Sequence, residues 1–245
     1  MKVSKKVVFI KDWILNYVNS MPKKAQSLVV GISGGIDSSV ASTLCAMTGI
    51  KTIVLTLPIK QKPSQHDLSI KHSNWLKEKF KNIESHTIEL DEVFKIFKSS
   101  LSKFDSDHGM ANSRARIRMT TLYQIAASNK GIVVGTGNKI EDFGVGFYTK
   151  YGDGGVDISP MADCTKTEVW ELGKELNILE EIIKAQPTDG LWDDGRTDVG
   201  QLGMTYKELE EAMANPDSAN RSKYEEIRKL NLHKMEAIPF CKIPK

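Results

Sequence analysis

Four short runs, "SLVVGIS", "KTIVLTLP", "ESHTIEL" and "GIVVGTGN", each hold enough residues for one strand and are spaced by segments of helical length. The helical segments run from Asp37 to Met47, from Gln65 to Phe80, from Asp91 onward with Asp91 as a plausible N-cap, and from Ala111 to Asn129. Alternation of this kind specifies a doubly wound parallel sheet with helices on both faces, an α/β fold. Ligands of such sheets bind in the crevice at the carboxyl ends of the strands. "VVGIS" and "VVGTGN" both run out into glycine-rich turns, so both turns are expected to border that crevice.

Ahead of the first strand, Val7, Val8, Ile10, Ile14, Leu15 and Val18 recur at helical spacing up to Pro22. Lys11 and Asp12 break the apolar run and no small-residue cleavage site follows, so this reads as an amphipathic helix and not a signal peptide. Trp13 and Trp75 fall on apolar helical faces and are expected in the core. From Ile140 the pattern fades into a long Gly-rich and aromatic stretch, "EDFGVGFYTKYGDGGVDISP". Helix resumes over Lys166–Leu176. A second long loop, "TDGLWDDGRTDVGQLG", precedes two helical segments, Tyr206–Met213 and Ser222 to about Met235. Without repeats or a linker, residues 1–245 read as one domain. A net charge of +3 gives no general affinity for nucleic acid. The three cysteines, Cys45, Cys164 and Cys241, are far apart, with neither metal spacing nor an even count. With no run long enough to span a membrane, a cytoplasmic protein is expected.

The turn after the first strand reads "GISGGIDSSV". Gly34 and Gly35 can take positive φ and admit an anion to the backbone. Successive N–H groups and the following helix start make a phosphate nest, with Ser33, Ser38 and Ser39 as further donors. A plain strand-to-helix turn is the alternative, and the full combination argues against it. The lysine of the commonest phosphate loop is missing, and Asp37 stands nearby. A carboxylate beside a polyphosphate implies a cation between them, Mg²⁺ above all.

These residues resemble the SGGxDSS signature of the ATP pyrophosphatases, or PP-loop enzymes. The resemblance implies a Rossmann-like fold of the adenine nucleotide alpha-hydrolase type. It implies ATP as co-substrate, with pyrophosphate as the part that leaves. The second half is more specific. "NSRARIRM", "VVGTGNKIEDFGVGFYTKYGDGGVDISP", "KTEVWEL" and the late "HK" resemble the ammonia-dependent NAD⁺ synthetases, over about Val29 to Lys234. That likeness implies an AMP-forming ligase that turns nicotinate adenine dinucleotide (deamido-NAD) into NAD⁺ through an acyl adenylate.

By the same resemblance, ATP contacts fall on Gly31, Ile32, Ser33, Gly34, Gly35, Ile36, Asp37, Ser38, Thr136, Lys166 and Thr188. Magnesium ligands fall on Asp37 and Glu141. Dinucleotide contacts fall on Arg116, Lys150, Asp157, His233 and Lys234, and a homodimer is implied. The residues themselves fit. Glu141 follows the turn after "VVGT" and is expected to face Asp37 across the crevice, where the two can share one cation; a solvated acidic pair is the lesser alternative. A cation at a helix start works against the dipole, so Lys166 needs another reason to be there. Arg114, Arg116 and Arg118 cannot all face one way on a helix. His233 on its own reads as a surface histidine. Phe147, Tyr148 and Tyr151 either pack the loop or stack on a pyridine ring. Ammonium must lose a proton before it attacks, and Asp153 or Asp157, both in "YGDGGVD", could assist, with Asp157 equally suited to hold the substrate; this puts them beside Asp37 and Lys166 as candidate catalytic residues.

The segment before Gly31 is shorter than the roughly 50 residues of the smallest domains, so free ammonia and not glutamine is the expected nitrogen donor. The helix "ARIRMTTLYQIAA" is apolar over a wide arc, which suits a dimer contact or a core helix. Residues 61–67 and 188–203 are expected to be mobile lids over the crevice. A tRNA-modifying adenylase and a nucleotide-binding sensor without activity are the competing readings. Scattered cysteines and the lack of a basic domain weigh against the first, and the full set of phosphate and metal residues against the second.

Overall fold

The structure, a computed structural model, describes residues 1–61, 63–192 and 194–244, and of residues 63–65 the backbone alone. Along the chain the elements are α1 (Val3–Ser20), β1 (Ser27–Gly31), α2 (Ile36–Met47), β2 (Lys51–Thr56), α3 (Pro63–Lys79), β3 (Ile83–Thr87), α4 (Asp91–Ser100), α5 (Asp107–Ser128) and β4 (Gly131–Val133). A π-helix, Lys139–Val145, comes next. It is followed by α6 (Lys166–Glu175), α7 (Glu180–Lys184), α8 (Asp198–Leu202), α9 (Tyr206–Ala214) and α10 (Arg221–Met235).

The strands lie in the order β3-β2-β1-β4 and every pairing is parallel. Helices cover both faces, as the alternation implies. Side chains of β1 point alternately to the two sides. Leu28 and Val30 pack with Ile14 of α1, Leu44 of α2 and Leu172 of α6. Val29 packs the other way, with Phe94 of α4 and Met119 and Leu122 of α5. Strand order reverses between β1 and β4, and their carboxyl-end turns, 32–35 and 134–138, flank the crevice there. A parallel bridge between Val134 and Ile158 brings the returning Gly-rich segment alongside β4. A further core, with Ile140, Val145, Leu209 and Tyr224, joins the π-helix to α9 and α10.

Four local expectations need correction. Trp13 is 40% exposed and stacks on Tyr17, so it is a surface residue. Helix α5 begins at Asp107, four residues early, because Ser106 accepts the N–H of Gly109 and caps it. Asp91 sits inside the first turn of α4, with Leu90 at the cap, and its carboxylate accepts the N–H of Lys60 instead. The stretch after Ile140 starts inside a π-helix that ends at Val145, with Gly146 left-handed, and holds no helix from there to Pro160. Of the first expected lid, residue 62 and the side chains of 63–65 lie outside the described residues, and the backbone is helical from Pro63. Asp193 in the second lies outside them as well.

Candidate active site

The loop after β1 is held by its own hydroxyls. Ile32 donates its N–H to the Leu55 carbonyl at 2.8 Å, and Gly34 takes φ of 87°, a left-handed conformation that favours glycine. Ser33 and Ser38 hydroxyls lie 3.1 Å apart, and Ser38 Oγ donates to the Gly35 carbonyl. No side chain caps the start of α2, so its first N–H groups stay available to an anion.

Asp37 stands in the first turn of α2. Its Oδ2 accepts from Lys166 Nζ at 2.6 Å and its Oδ1 from Asn138 Nδ2 at 2.9 Å. The same ammonium donates to Glu141 Oε1 at 2.8 Å. Residues 37, 141 and 166, far apart in sequence, therefore meet at one nitrogen. Lys166 is 2% exposed, which explains a cation placed against a helix dipole: it neutralises two carboxylates. Burial alone lowers its pKa, but Asp37 and Glu141 outweigh that and raise it. Burial pushes the Asp37 carboxyl up, with Lys166 opposing. Burial acts likewise on Glu141, but bonds from Lys166 and Tyr206 hold it below the ordinary value.

Sequence reasoning passed over three residues here. Asn138 is fully buried and caps the π-helix, its Oδ1 accepting the N–H groups of Ile140 and Glu141 at 3.1 Å each. The sequence carried no periodic helix signal after it, so its capping role shows only in the structure. A Cβ on Gly137 beside it would lie 1.8 Å from Asp142 Oδ2, so any larger residue there must displace the Asp142 carboxylate. Tyr206 Oη lies 2.6 Å from Glu141 Oε1 and 3.0 Å from Asp198 Oδ2. One hydroxyl hydrogen cannot serve both carboxylates. The shorter contact favours Glu141 as its acceptor. Burial, then Glu141, push the Asp198 pKa up to about 7.

The Gly-rich return forms the other wall. Asp153 Oδ1 accepts the Thr149 N–H at 3.0 Å, and burial lifts its pKa to about 6. Both oxygens of Asp157 are committed, one to the Val133 N–H at 2.7 Å and one to the Tyr123 hydroxyl at 3.1 Å. Tyr148 and Lys234 exchange bonds, hydroxyl to carbonyl at 2.6 Å and ammonium to carbonyl at 2.7 Å. Arg116 is exposed and reaches the Lys150 carbonyl, whereas Arg118 turns inward to the Leu57 carbonyl and Gln61. His233 is exposed, and Thr188 closes its own loop by donating to the Arg196 carbonyl. A groove of about 790 Å³ opens beside this wall, lined by Tyr123, Tyr148, Lys150, Tyr151 and Lys234 among others.

A family model described as NAD synthase matches residues 6–242. The chain belongs to the NAD synthase family. Among curated NAD synthase relatives, an NH₃-dependent NAD⁺ synthetase of Carboxydothermus hydrogenoformans is 37% identical over 204 residues, covering 80% of this chain and 81% of that protein. The NMN synthetase of Francisella tularensis superposes with a TM-score of 0.91 at 30% identity, covering 99% of this chain and all of that one. The NH₃-dependent NAD synthetase of Campylobacter jejuni gives a TM-score of 0.80 at 25% identity, again covering 99% of this chain and all of that one. As a NAD synthase, this chain has the loop after β1 and the Gly-rich return at the two sides of one crevice.

Proposed function

We propose that this protein is an ammonia-dependent NAD⁺ synthetase. It joins ammonia to the nicotinate carboxyl of nicotinate adenine dinucleotide, with ATP split to AMP and pyrophosphate. The observation that carries the reading is the meeting of Asp37, Glu141 and Lys166 at the mouth of the phosphate loop, in a chain of this family. The curated relatives favour neither a tRNA-modifying enzyme nor a silent sensor.

In the proposed reaction the loop amides at Ser33–Ser38, with Ile32 and Ile36 behind them, grip the two terminal phosphates. Thr136 and Thr188 border the rest of ATP. The nicotinate carboxylate attacks the α-phosphorus in line, the bond to the bridging oxygen breaks, and pyrophosphate leaves. Lys166 turns from its carboxylates toward the phosphate oxygens as charge builds on them. Among the described residues no group of three or more His, Cys, Asp or Glu side chains converges on a metal position. Two carboxylates are nevertheless what Mg²⁺ uses when phosphates and water complete its shell. Asp37 and Glu141 would hold it, and it would supply charge neutralisation at the phosphates. Ammonia then attacks the adenylated carbonyl, AMP leaves, and one proton passes to a base. Asp153 suits that role, because Asp157 is spent on Val133 and Tyr123 and serves to hold the wall. Lys150 and Lys234 line the groove offered for the dinucleotide, with His233 and Arg116 as its further proposed contacts.

The same reading includes a homodimer, supported by the open groove and by Tyr123 and Tyr151, 37% and 61% exposed beside it. Sedimentation at micromolar protein should show twice the 27.3 kDa of one chain; a monomer alone defeats that part. No described helix is long and apolar enough to cross a membrane. The three free cysteines suit the cytoplasm.

One observation favours a second reading of the substrate's length. The Francisella protein, so similar in structure, is an NMN synthetase. The acceptor carboxyl would then belong to nicotinate mononucleotide, with the same adenylation chemistry. Purified protein with ATP, Mg²⁺ and ammonium should form NAD⁺ from the dinucleotide at a higher kcat/KM than NMN from the mononucleotide. The reverse order selects the second reading, and no amide from either overturns both.

A further inference from the structure

Tyr206 opens α9, just beyond the segment that runs from Pro187 to Gly203. Its hydroxyl lies within hydrogen-bond distance of both Glu141, at the ATP side of the crevice, and Asp198, the first residue of α8 within that segment. The ring is fixed independently of the hydroxyl. It is 4% exposed, meets Trp170 edge-on at 5.8 Å, and lies 4.8 Å from Lys166 Nζ. Nothing about packing a ring there requires an oxygen, since phenylalanine would fill the same volume.

Asp198 in turn is anchored on the segment. Its N–H donates to the Pro187 carbonyl at 3.2 Å, its side chain is 5% exposed, and Oδ1 is buried with no partner. Several described polar groups of the segment pair within it. Asp189 accepts from the Leu191 N–H, Trp192 Nε1 and Gln201 Nε2, and Arg196 pairs with Asp194 at 2.6 Å while lying over the Trp192 ring. Leu202 packs with Ile140 and Leu209 and Lys223 bonds the Gly203 carbonyl at the segment's end, while the Tyr206–Asp198 contact is the buried polar link that runs from the segment to Glu141.

We infer that Tyr206 is a positioning residue: its hydroxyl sets the direction of the Glu141 carboxylate and, through Asp198, tethers segment 187–203 to the ATP side of the crevice. This rests on the reading of Glu141 as part of the ATP site. By this arrangement a turn of Glu141 Oε1 away from Tyr206 gives up the 2.6 Å contact, and a shift of the hydroxyl gives up the contact with Asp198. Opening or closing of the segment is thereby coupled to what Glu141 holds.

Tyr206→Phe keeps the ring and removes the tether. Asp198→Asn keeps a polar partner for the Tyr206 hydroxyl, and Asp198→Ala removes it. In ligand-free protein, amides of residues 188–203 should exchange hydrogen about tenfold faster in Tyr206→Phe and Asp198→Ala than in wild type, and no faster in Asp198→Asn. The Mg²⁺ concentration for half-maximal NAD⁺ formation should rise in Tyr206→Phe while the KM for dinucleotide stays put. Exchange at the wild-type rate in Tyr206→Phe overturns the tether, and an unchanged Mg²⁺ requirement overturns the positioning of Glu141. A wild-type protein that forms no NAD⁺ refutes the functional reading, and the exchange measurement still decides the tether.

Discussion

The side-chain amide of Asn138 donates to Asp37 Oδ1 at 2.9 Å, joining the turn after β4 to the loop after β1 across the point where the strand order reverses. Its carbonyl oxygen meanwhile caps the π-helix that carries Glu141. Asn138→Ala removes a cap and leaves two helix N–H groups and Asp37 short of a partner. The expected loss is about 2 kcal/mol of stability, read by urea unfolding. Asn138→Asp keeps the cap but sets a negative charge against Asp37, so it should remain near wild-type stability at low pH and lose most activity. An active Asn138→Asp protein at neutral pH speaks against this account of the residue.

Lys166→Met should destabilise the protein by about 3–5 kcal/mol at pH 8, because Asp37 and Glu141 are left without their buried cation. The penalty should shrink toward pH 4. Protonation of Asp37, whose pKa is already raised, relieves the repulsion there. Thermal unfolding of both proteins across that range checks it. A pH-independent difference would mean that packing, not charge, explains the loss. Added Mg²⁺ should restore part of the Lys166→Met stability, since a divalent cation can take the place of the ammonium.

Asp153 has a pKa raised to about 6, so it is protonated at pH 5 and an available base at pH 8. At a fixed concentration of free ammonia, activity should rise through pH 6 in wild type. Asp153→Asn should lose that limb and turn over about a hundredfold more slowly at pH 8. A mutant with the same response to ammonium and the same pH profile removes Asp153 from the proton transfer.

Segment 188–203 should be cut by trypsin near Arg196 in ligand-free protein and protected by ATP, Mg²⁺ and dinucleotide together. Arg196 is 44% exposed in its side chain, and its partner Asp194 lies on the same segment. Closure over the site would keep water from the acyl adenylate. Equal cleavage with and without the three ligands ends the case for a lid.

What the amino-acid sequence determined by itself was local or periodic. Apolar runs such as Leu28–Val30 marked buried strands, their alternation with helices marked the parallel sheet, and "GISGGIDSS" marked the phosphate turn. These signals survive because they depend on a residue's near neighbours along the chain. Lys166 was conspicuous as a cation at a helix start, yet only the folded chain showed its partners, since Asp37 lies 129 positions away and Glu141 25. Asn138, Tyr206 and Asp198 gave no comparable signal of a site. Their worth lies in single hydrogen bonds, the longest between residues 101 positions apart, and nothing in local propensity encodes such a bond. Trp13 shows the converse: helical spacing put it on an apolar stripe, and tertiary packing alone decided that Ile10 and Ile14 would be buried and Trp13 left at the surface. Register along a helix repeats in the sequence, but which arc meets the sheet is set by the neighbouring elements that bury it.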